Sequence, residues 1–295
     1  MTKFLRTGVL LLSIFFLASG AAMAAPTKIA VIVNNAAVNT DVAPYIKGGT
    51  TIVPLNVVQQ IPGISVKWDN ASKTITITRK GETVTLVAGQ KFATIGSKKV
   101  ALSVSSSLEN GRVMVPLRFI AESANAHIIW NANTRTIYVA KASDALTTQL
   151  TSKNLAEARS AAVQYPQVSL LKNFSVTNDS QNQDYYFPQG KSNQFFILGG
   201  NGISYYEIVG NHSEQLWTAQ FDPSAKSSNE LFFLPYKITN QDGSVPTLNS
   251  RVAFYHLMLP IMEATYGFIE TNGQTTSLGQ KEIKLNRFFE IPEEQ

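Results

Sequence analysis

The sequence predicts an α+β protein: a duplicated small αβ module followed by a β-rich α+β C-terminal domain. Three observations predict it. Residues 53–77 and 115–139 repeat a Val-Pro-Leu … Trp … Thr-Ile skeleton at a constant spacing of 62 residues. Residues 142–166 are rich in Ala and other good helix formers. Beyond residue 167, short runs of aromatic and β-branched residues are separated by turn residues, which is the pattern of strands.

The first 24 residues read as a signal peptide. Lys3 and Arg6 form its positive start, and Val9 to Leu17 is an apolar run broken only by Ser13. Ala22-Met23-Ala24 supplies the small-x-small pattern that places cleavage after Ala24. The run is shorter than the roughly 20 residues a membrane helix needs. The expected product is therefore a secreted or cell-envelope protein of 271 of the 295 residues, without a membrane span. At about 100–200 residues per domain that length implies two domains. With no Cys there is neither a disulfide nor a lipid-bearing cysteine. The signal carries two of the +5 net charges, leaving about +3. Lys and Arg are scattered rather than clustered, which excludes nucleic acid as a partner and leaves only a weak attraction to anionic wall polymers.

The repeat runs without a gap from residue 31 to 79 against residues 93 to 141. Val38 matches Val100, Val42 matches Val104, Gly49 matches Gly111, and Trp68 matches Trp130. Apolar exchanges fill the remainder: Val33 with Ile95, Ile52 with Met114, Val57-Val58 with Phe119-Ile120, Val66 with Ile128, and Ile77 with Val139. A gapless match over some fifty positions marks an internal repeat. Each copy opens with a hairpin that turns at Asn34-Asn35 or Gly96-Ser97, residue types suited to tight turns. A second turn, Gly48-Gly49 or Asn110-Gly111, leads into the strand that ends at Val-Pro-Leu. Pro has no N–H, so it suits a strand end or a first helical turn. Short helices are expected at Leu55–Gln60 and Leu117–Ser123, then strands at Val66–Trp68 and Ile128–Trp130. The closing strand, "TITIT" at 74–78, alternates with period two. Glu82–Val87 is an extra strand that joins the copies.

The segment V-P-L-R-F-I-A-E … W-N-A-N-T-R-T-I-Y-V, from Val115 to Val139, resembles the copper amine oxidase N-terminal-like, or stalk, domain. The resemblance covers about residues 29–141 and is looser in the first copy, where Asn56 and Gln60 stand in place of Arg118 and Glu122. It implies a bacterial secreted or surface protein whose N-terminal module is non-catalytic, since in the oxidases this domain is an appendage remote from the metal.

The residues lead to the same expectation from their own chemistry. A copper amine oxidase needs three His ligands and an Asn-Tyr-Asp/Glu sequence for its quinone. The three His here, His127, His212 and His256, have no metal-binding spacing, and no Asn-Tyr-Asp/Glu occurs. No catalytic, cofactor-binding or metal-ligating residue is assigned, and no cofactor is expected. His127 falls on the face of its strand opposite Ile128 and Trp130, so it is expected exposed and alone. Trp68 and Trp130 each follow an apolar strand residue by two positions and precede a polar turn, where a core-closing aromatic sits. Trp130 is thus expected in the core, and its loss to Ala is expected to cost about 3–5 kcal/mol. The alternative for such a Trp is an exposed platform that stacks on a sugar ring. Arg118 and Glu122, four apart on a helix, are expected to pair at the surface.

Residues 142–166 read as a helical connector, with Ser143 and Ser152 as N-caps and Pro166 as the stop. In the C-terminal domain, 167–295, strands are expected at 194–198, 203–209, 214–221 and 231–238, with a hairpin turn at Gly199–Gly202. Residues 251–269 are apolar throughout and fit either a buried helix broken at Pro260 or two buried strands, with His256 in the core. The domain has no Gly-x-Ser-x-Gly, no His-Glu-x-x-His and no Cys. Glu207, Glu214, Asp222, Glu230 and Glu263 lie near aromatics, as the carboxylate pair of a glycosidase would, but their spacing carries no signal. The expected function is that of a secreted, non-catalytic envelope protein that binds or spaces, with cell-wall glycan or another envelope protein as partner. The alternative is an extracytoplasmic hydrolase whose site lies in the C-terminal domain.

Overall fold

A computed structural model describes residues 28–79, 81–177, 181–227, 231–284, 287–291 and 294; the expected signal peptide lies outside them. The first segment forms β1 (Ala30–Val33), β2 (Ala36–Ala37), β3 (Tyr45–Lys47), β4 (Thr50–Pro54), α1 (Leu55–Val58), β5 (Ser65–Asp69) and β6 (Thr74–Arg79). β7 (Glu82–Val87) leads to the second segment. That segment forms β8 (Phe92–Ile95), β9 (Lys98–Ala101), β10 (Ser107–Glu109), β11 (Arg112–Pro116), α2 (Leu117–Ser123), β12 (His127–Asn131) and β13 (Thr136–Ala140). Asn34 and Asn35, and likewise Asn110 and Gly111, take the positive φ that two-residue hairpin turns need. α1 is shorter than the expected 55–60, because Ile61 precedes Pro62 and a residue before Pro is driven out of the helical region.

The strands form three sheets in the orders β12-β13-β1-β2, β10-β11-β4-β3 and β5-β6-β7-β8-β9. In the central sheet β4 and β11 run antiparallel, with Val53 opposite Val115. The flanking sheets mix the segments. β1 pairs in parallel with β13, Ala30 opposite Thr136, and β7 joins β6 to β8. One hydrophobic core therefore takes Val31, Val53, Ile75 and Ile77 together with Val115, Leu117, Ile120 and Ile137.

α3 (Asp144–Leu150) and α4 (Leu155–Ala162) form the connector. Ser143 caps α3 as expected, its side chain accepting from the Leu146 N–H. The cap of α4 is Asn154 rather than Ser152: Asn154 accepts from the Glu157 N–H, while Ser152 donates to the Glu157 carboxylate. α4 ends at Ala162, four residues before Pro166.

The C-terminal domain is one nine-stranded sheet. Its strands are β14 (Gln167–Ser169), β15 (Asn182–Pro188), β16 (Gln194–Gly199), β17 (Gly202–Val209), β18 (His212–Lys226), β19 (Tyr236–Gly243), β20 (Val252–Met258), β21 (Glu263–Ile269) and β22 (Thr275–Glu282). The order is β14-β18-β17-β16-β15-β20-β21-β22, with β19 also on β18. Residues 251–269 thus resolve into two strands, and residues 231–235 turn over the sheet rather than extend. Leu231, Phe233 and Leu234 cover one face, where they meet Phe196, Trp217 and Phe254. α4 and, near the chain's end, Phe288 and Ile291 cover the other face, against Phe187, Phe195 and Tyr255. At the expected turn, Gly200 is irreplaceable: a Cβ there would lie 1.8 Å from the Thr177 carbonyl oxygen. Of the described residues 49% are strand and 11% helix, so the α+β reading holds broadly with β dominant. Among the described residues no helix is long and apolar enough to cross a membrane.

A buried ion pair ties α4 to the chain's end. The Arg159 guanidinium, fully buried, donates to both carboxylate oxygens of Glu294 at 2.6 and 2.8 Å, to the Tyr255 hydroxyl at 3.3 Å and to the Lys191 carbonyl at 3.0 Å. Burial by itself would lower the Arg159 pKa, but the bonds to Glu294 and Tyr255 outweigh it and the pKa is raised. Removing one partner leaves the other charge uncompensated in the interior. Glu294→Ala should therefore cost about 3–5 kcal/mol in denaturant unfolding, and the double variant Arg159→Met/Glu294→Ala should recover part of that loss.

Candidate functional site

The concave feature of the N-terminal module is a groove of about 670 Å³ between the central sheet and β12. The β3–β4 hairpin supplies Ile46, Gly48, Gly49, Thr50 and Thr51. Residues 100–103 supply one rim, and α2 supplies Arg118, Phe119 and Glu122. Ile128, Trp130 and Ile137 form the floor on β12 and β13. Trp130 lies opposite Ile137 in the ladder, so the three apolar side chains share a face, as the alternation predicted.

That face is covered at Ile137 and opens to solvent at Trp130, and here the core expectation for Trp130 is corrected. Trp130 is 39% exposed, whereas Trp68 is partly buried and packed against the core. On the side of β12 expected to be wet, His127 is exposed but Asn131 is covered. Asn131 is buried, accepts from the N–H groups of Asn133 and Thr134, and donates to the Ser169 carbonyl. A large penalty for truncation therefore passes from Trp130 to Trp217, which is fully buried and donates its indole N–H to Gln241 at 3.1 Å.

Arg118 and Glu122 do not pair. Both are exposed at the groove, and neither makes a hydrogen bond or ion pair among the described residues. The hairpin tip is held to the far rim by a contact between the hydroxyls of Thr50 and Ser103 at 3.3 Å. The residues 62 positions away on the matching elements are Arg112 and Asp41, and they form an ion pair. The Arg112 guanidinium beside Asp41 holds its carboxyl below the usual range.

His127 is exposed, as expected, but it is not alone. Its ring stacks on His212 with centroids 5.0 Å apart and an interplanar angle of 14°. His212 is buried and its Nδ1 has no partner. This stack belongs to the seam between the two domains. Across it Asn211 donates to the Asn125 carbonyl, Asn131 donates to the Ser169 carbonyl, and the Gln167 N–H donates to the Asn35 side chain. His256 lies on β20, four strands away from β18, which carries His212, and is level with Ala219 rather than with His212. It is partly exposed rather than in the core and bonds the Asp184 carboxylate. His256 is thus apart from the stacked His127 and His212, and no group of three metal-ligating side chains is assembled among the described residues.

In the C-terminal domain a pocket of about 510 Å³ lies beneath residues 244–250. Glu207 faces it, accepting from the Tyr205 hydroxyl at 2.5 Å and from Gln194 at 3.2 Å. Burial, and then Glu207, push the Tyr205 hydroxyl far up. Glu214 is directly opposite Glu207 on β18. Asp222 bonds Ser224 at the exposed end of the same strand, Glu263 begins β21, and Glu230 lies outside the described residues. Glu207 and Glu214 lie between the two-residue turn at Gly210-Asn211 and the bulge at Tyr205/Tyr206, so the turn sets their pairing, and the sequence reading missed it because it did not place that turn.

Residues 32–139 match the family model of the copper amine oxidase N-terminal domain, so the resemblance carried by the Val-Pro-Leu and Trp segments is upheld for that module. Among curated proteins none matches the chain.

Burial, and then the neighbouring His127, lower the His212 pKa from its ordinary value of 6.5. The unfolded chain takes up a proton at a pH where the folded protein refuses it, so stability is complete above about 6.5 and declines below it. The melting temperature should hold between pH 8 and 7 and fall as pH drops through 6. His212→Asn should remove that part of the fall.

Proposed function

We propose that this is a secreted, non-catalytic protein of the cell envelope that works by binding or spacing, with cell-wall glycan or another envelope protein as its partner. The N-terminal module is a duplicated stalk-type unit in this reading. Support for duplication comes from the elements: β1, β3, β4 and β5 recur with the same bounds, displaced by 62 residues, as β8, β10, β11 and β12. The two central strands also meet at equivalent residues, Val53 and Val115. In the oxidases the matching domain is a stalk-like module without catalytic function.

The observation that carries binding is the groove at Trp130. An exposed aromatic, two unpaired charges and a row of hydroxyls converge on one concavity, the composition of a recognition site rather than of a reaction centre. Purified protein lacking residues 1–24 should sediment with isolated cell envelopes and should release from them without altering them. Failure to associate with any envelope fraction would overturn this reading. The same preparation should hold no stoichiometric copper and release no peroxide from amines. Copper bound through His127, His212 and His256 would contradict the noncatalytic assignment.

One observation favours a second reading, an extracytoplasmic hydrolase. Glu207, which lines a pocket, stands opposite Glu214 on the neighbouring strand, and paired carboxylates are what glycoside hydrolysis uses. Release of reducing ends from wall glycan, abolished by Glu207→Gln, would replace the binding reading with this one.

A further inference from the structure

We infer that the Trp130 groove holds a stretch of a polysaccharide chain, and that each molecule has one such site. The inference rests on the binding reading above and commits it to glycan. Trp130 presents an open indole face on the floor, beside Phe119. The C–H-bearing face of a pyranose ring is apolar while its edge carries hydroxyls, so it stacks on an aromatic face and turns its hydroxyls to the rim. The rim matches this division. Arg118 offers up to five donors and Glu122 accepts through two oxygens, and both are uncommitted. Thr50, Thr51 and Ser103 add hydroxyls that both donate and accept. Two opposite charges that leave each other unpaired at a spacing made for pairing suit a ligand bearing donors and acceptors side by side. A protein partner of ordinary size would instead need a surface of about 800 Å² per side, with charges depleted at its centre.

The single site follows from how the two segments differ. At the position matching Thr50 and Ser103, Arg112 and Asp41 close an ion pair across the equivalent rim. The matching helix carries Asn56 and Gln60, and Trp68 is packed against the core. Stacking surface and rim charges are therefore present together in the second segment alone.

The test titrates the protein lacking residues 1–24 with two probes: wall glycan strands stripped of peptide, and the free stem peptides. Binding of glycan at one site per molecule is expected. Arg118→Ala and Glu122→Gln touch exposed, unpartnered side chains, so each should melt like the parent while weakening glycan binding tenfold or more. Trp130→Ala should weaken it at least as much, and Trp130→Tyr should keep part of the affinity. Peptide binding without glycan binding, two glycan sites per molecule, or full affinity in Arg118→Ala and Trp130→Ala would each overturn the inference. Sedimentation with envelopes that free glycan strands do not displace would also overturn it while leaving the binding reading standing; absence of envelope binding removes both.

Discussion

β4 and β11 meet along their last residues, and the remainder of the N-terminal module is hung on that contact. Val53 and Val115 are fully buried where the two strands pair. Each strand ends in Pro, which has no N–H to extend the ladder, and each chain then turns directly into a helix. α1 and α2 thereby start side by side over the central sheet and bring Leu55, Val57 and Val58 to Leu117, Ile120 and Ala121. Neither segment can bury its own flanking strands. β1 leaves the first segment to pair with β13, and β8 is carried to the first segment's sheet by β7. The halves share one core because each covers what the other leaves open.

The same closure fixes where the C-terminal domain attaches. β13 is the last strand of the module and is buried along most of its length. Beyond it, Lys141 is held by Asn34, a turn residue more than a hundred positions earlier, and its ammonium reaches the Pro62 carbonyl at 2.8 Å. Asn131, at the end of β12, holds Ser169 just beyond the connector. Polar side chains at turns therefore form the seam, while the apolar face of β12 is left toward the groove. A surface available to a ligand and a surface bound to the second domain are two sides of one short strand.

Positions 62 residues apart in the two segments differ at the rim and stay alike at the core pairs that follow. Ile77 and Val139, or Ile75 and Ile137, remain apolar and buried because core density tolerates only small changes of volume. Asp41 and Arg112 face Ser103 and Thr50 at matched sites, where water on one side accepts either pair. An exposed ion pair of this kind adds little stability, so its consequence is geometric.

Much was legible in the sequence. The repeat, the hairpin turns, the strand and helix order of residues 30–140, the cap at Ser143 and three of the C-terminal strands follow from local chemistry: turn residues, alternation of period two, and capping side chains. Alternation also placed Ile128, Trp130 and Ile137 on a common face and His127 on the other. What it left undecided was what each face would meet. Trp130 was read as core although no second layer closes over it, and His127 was read as solitary although His212 comes to it from the other domain. The Arg159–Glu294 pair and the opposition of Glu207 to Glu214 were equally hidden, since one joins residues 135 apart and the other is set by a turn at Gly210-Asn211 that the sequence reading did not place. Periodicity along a strand reports which side chains travel together. Whether they are covered is settled by elements distant in the chain, and only the tertiary structure brings those elements into place.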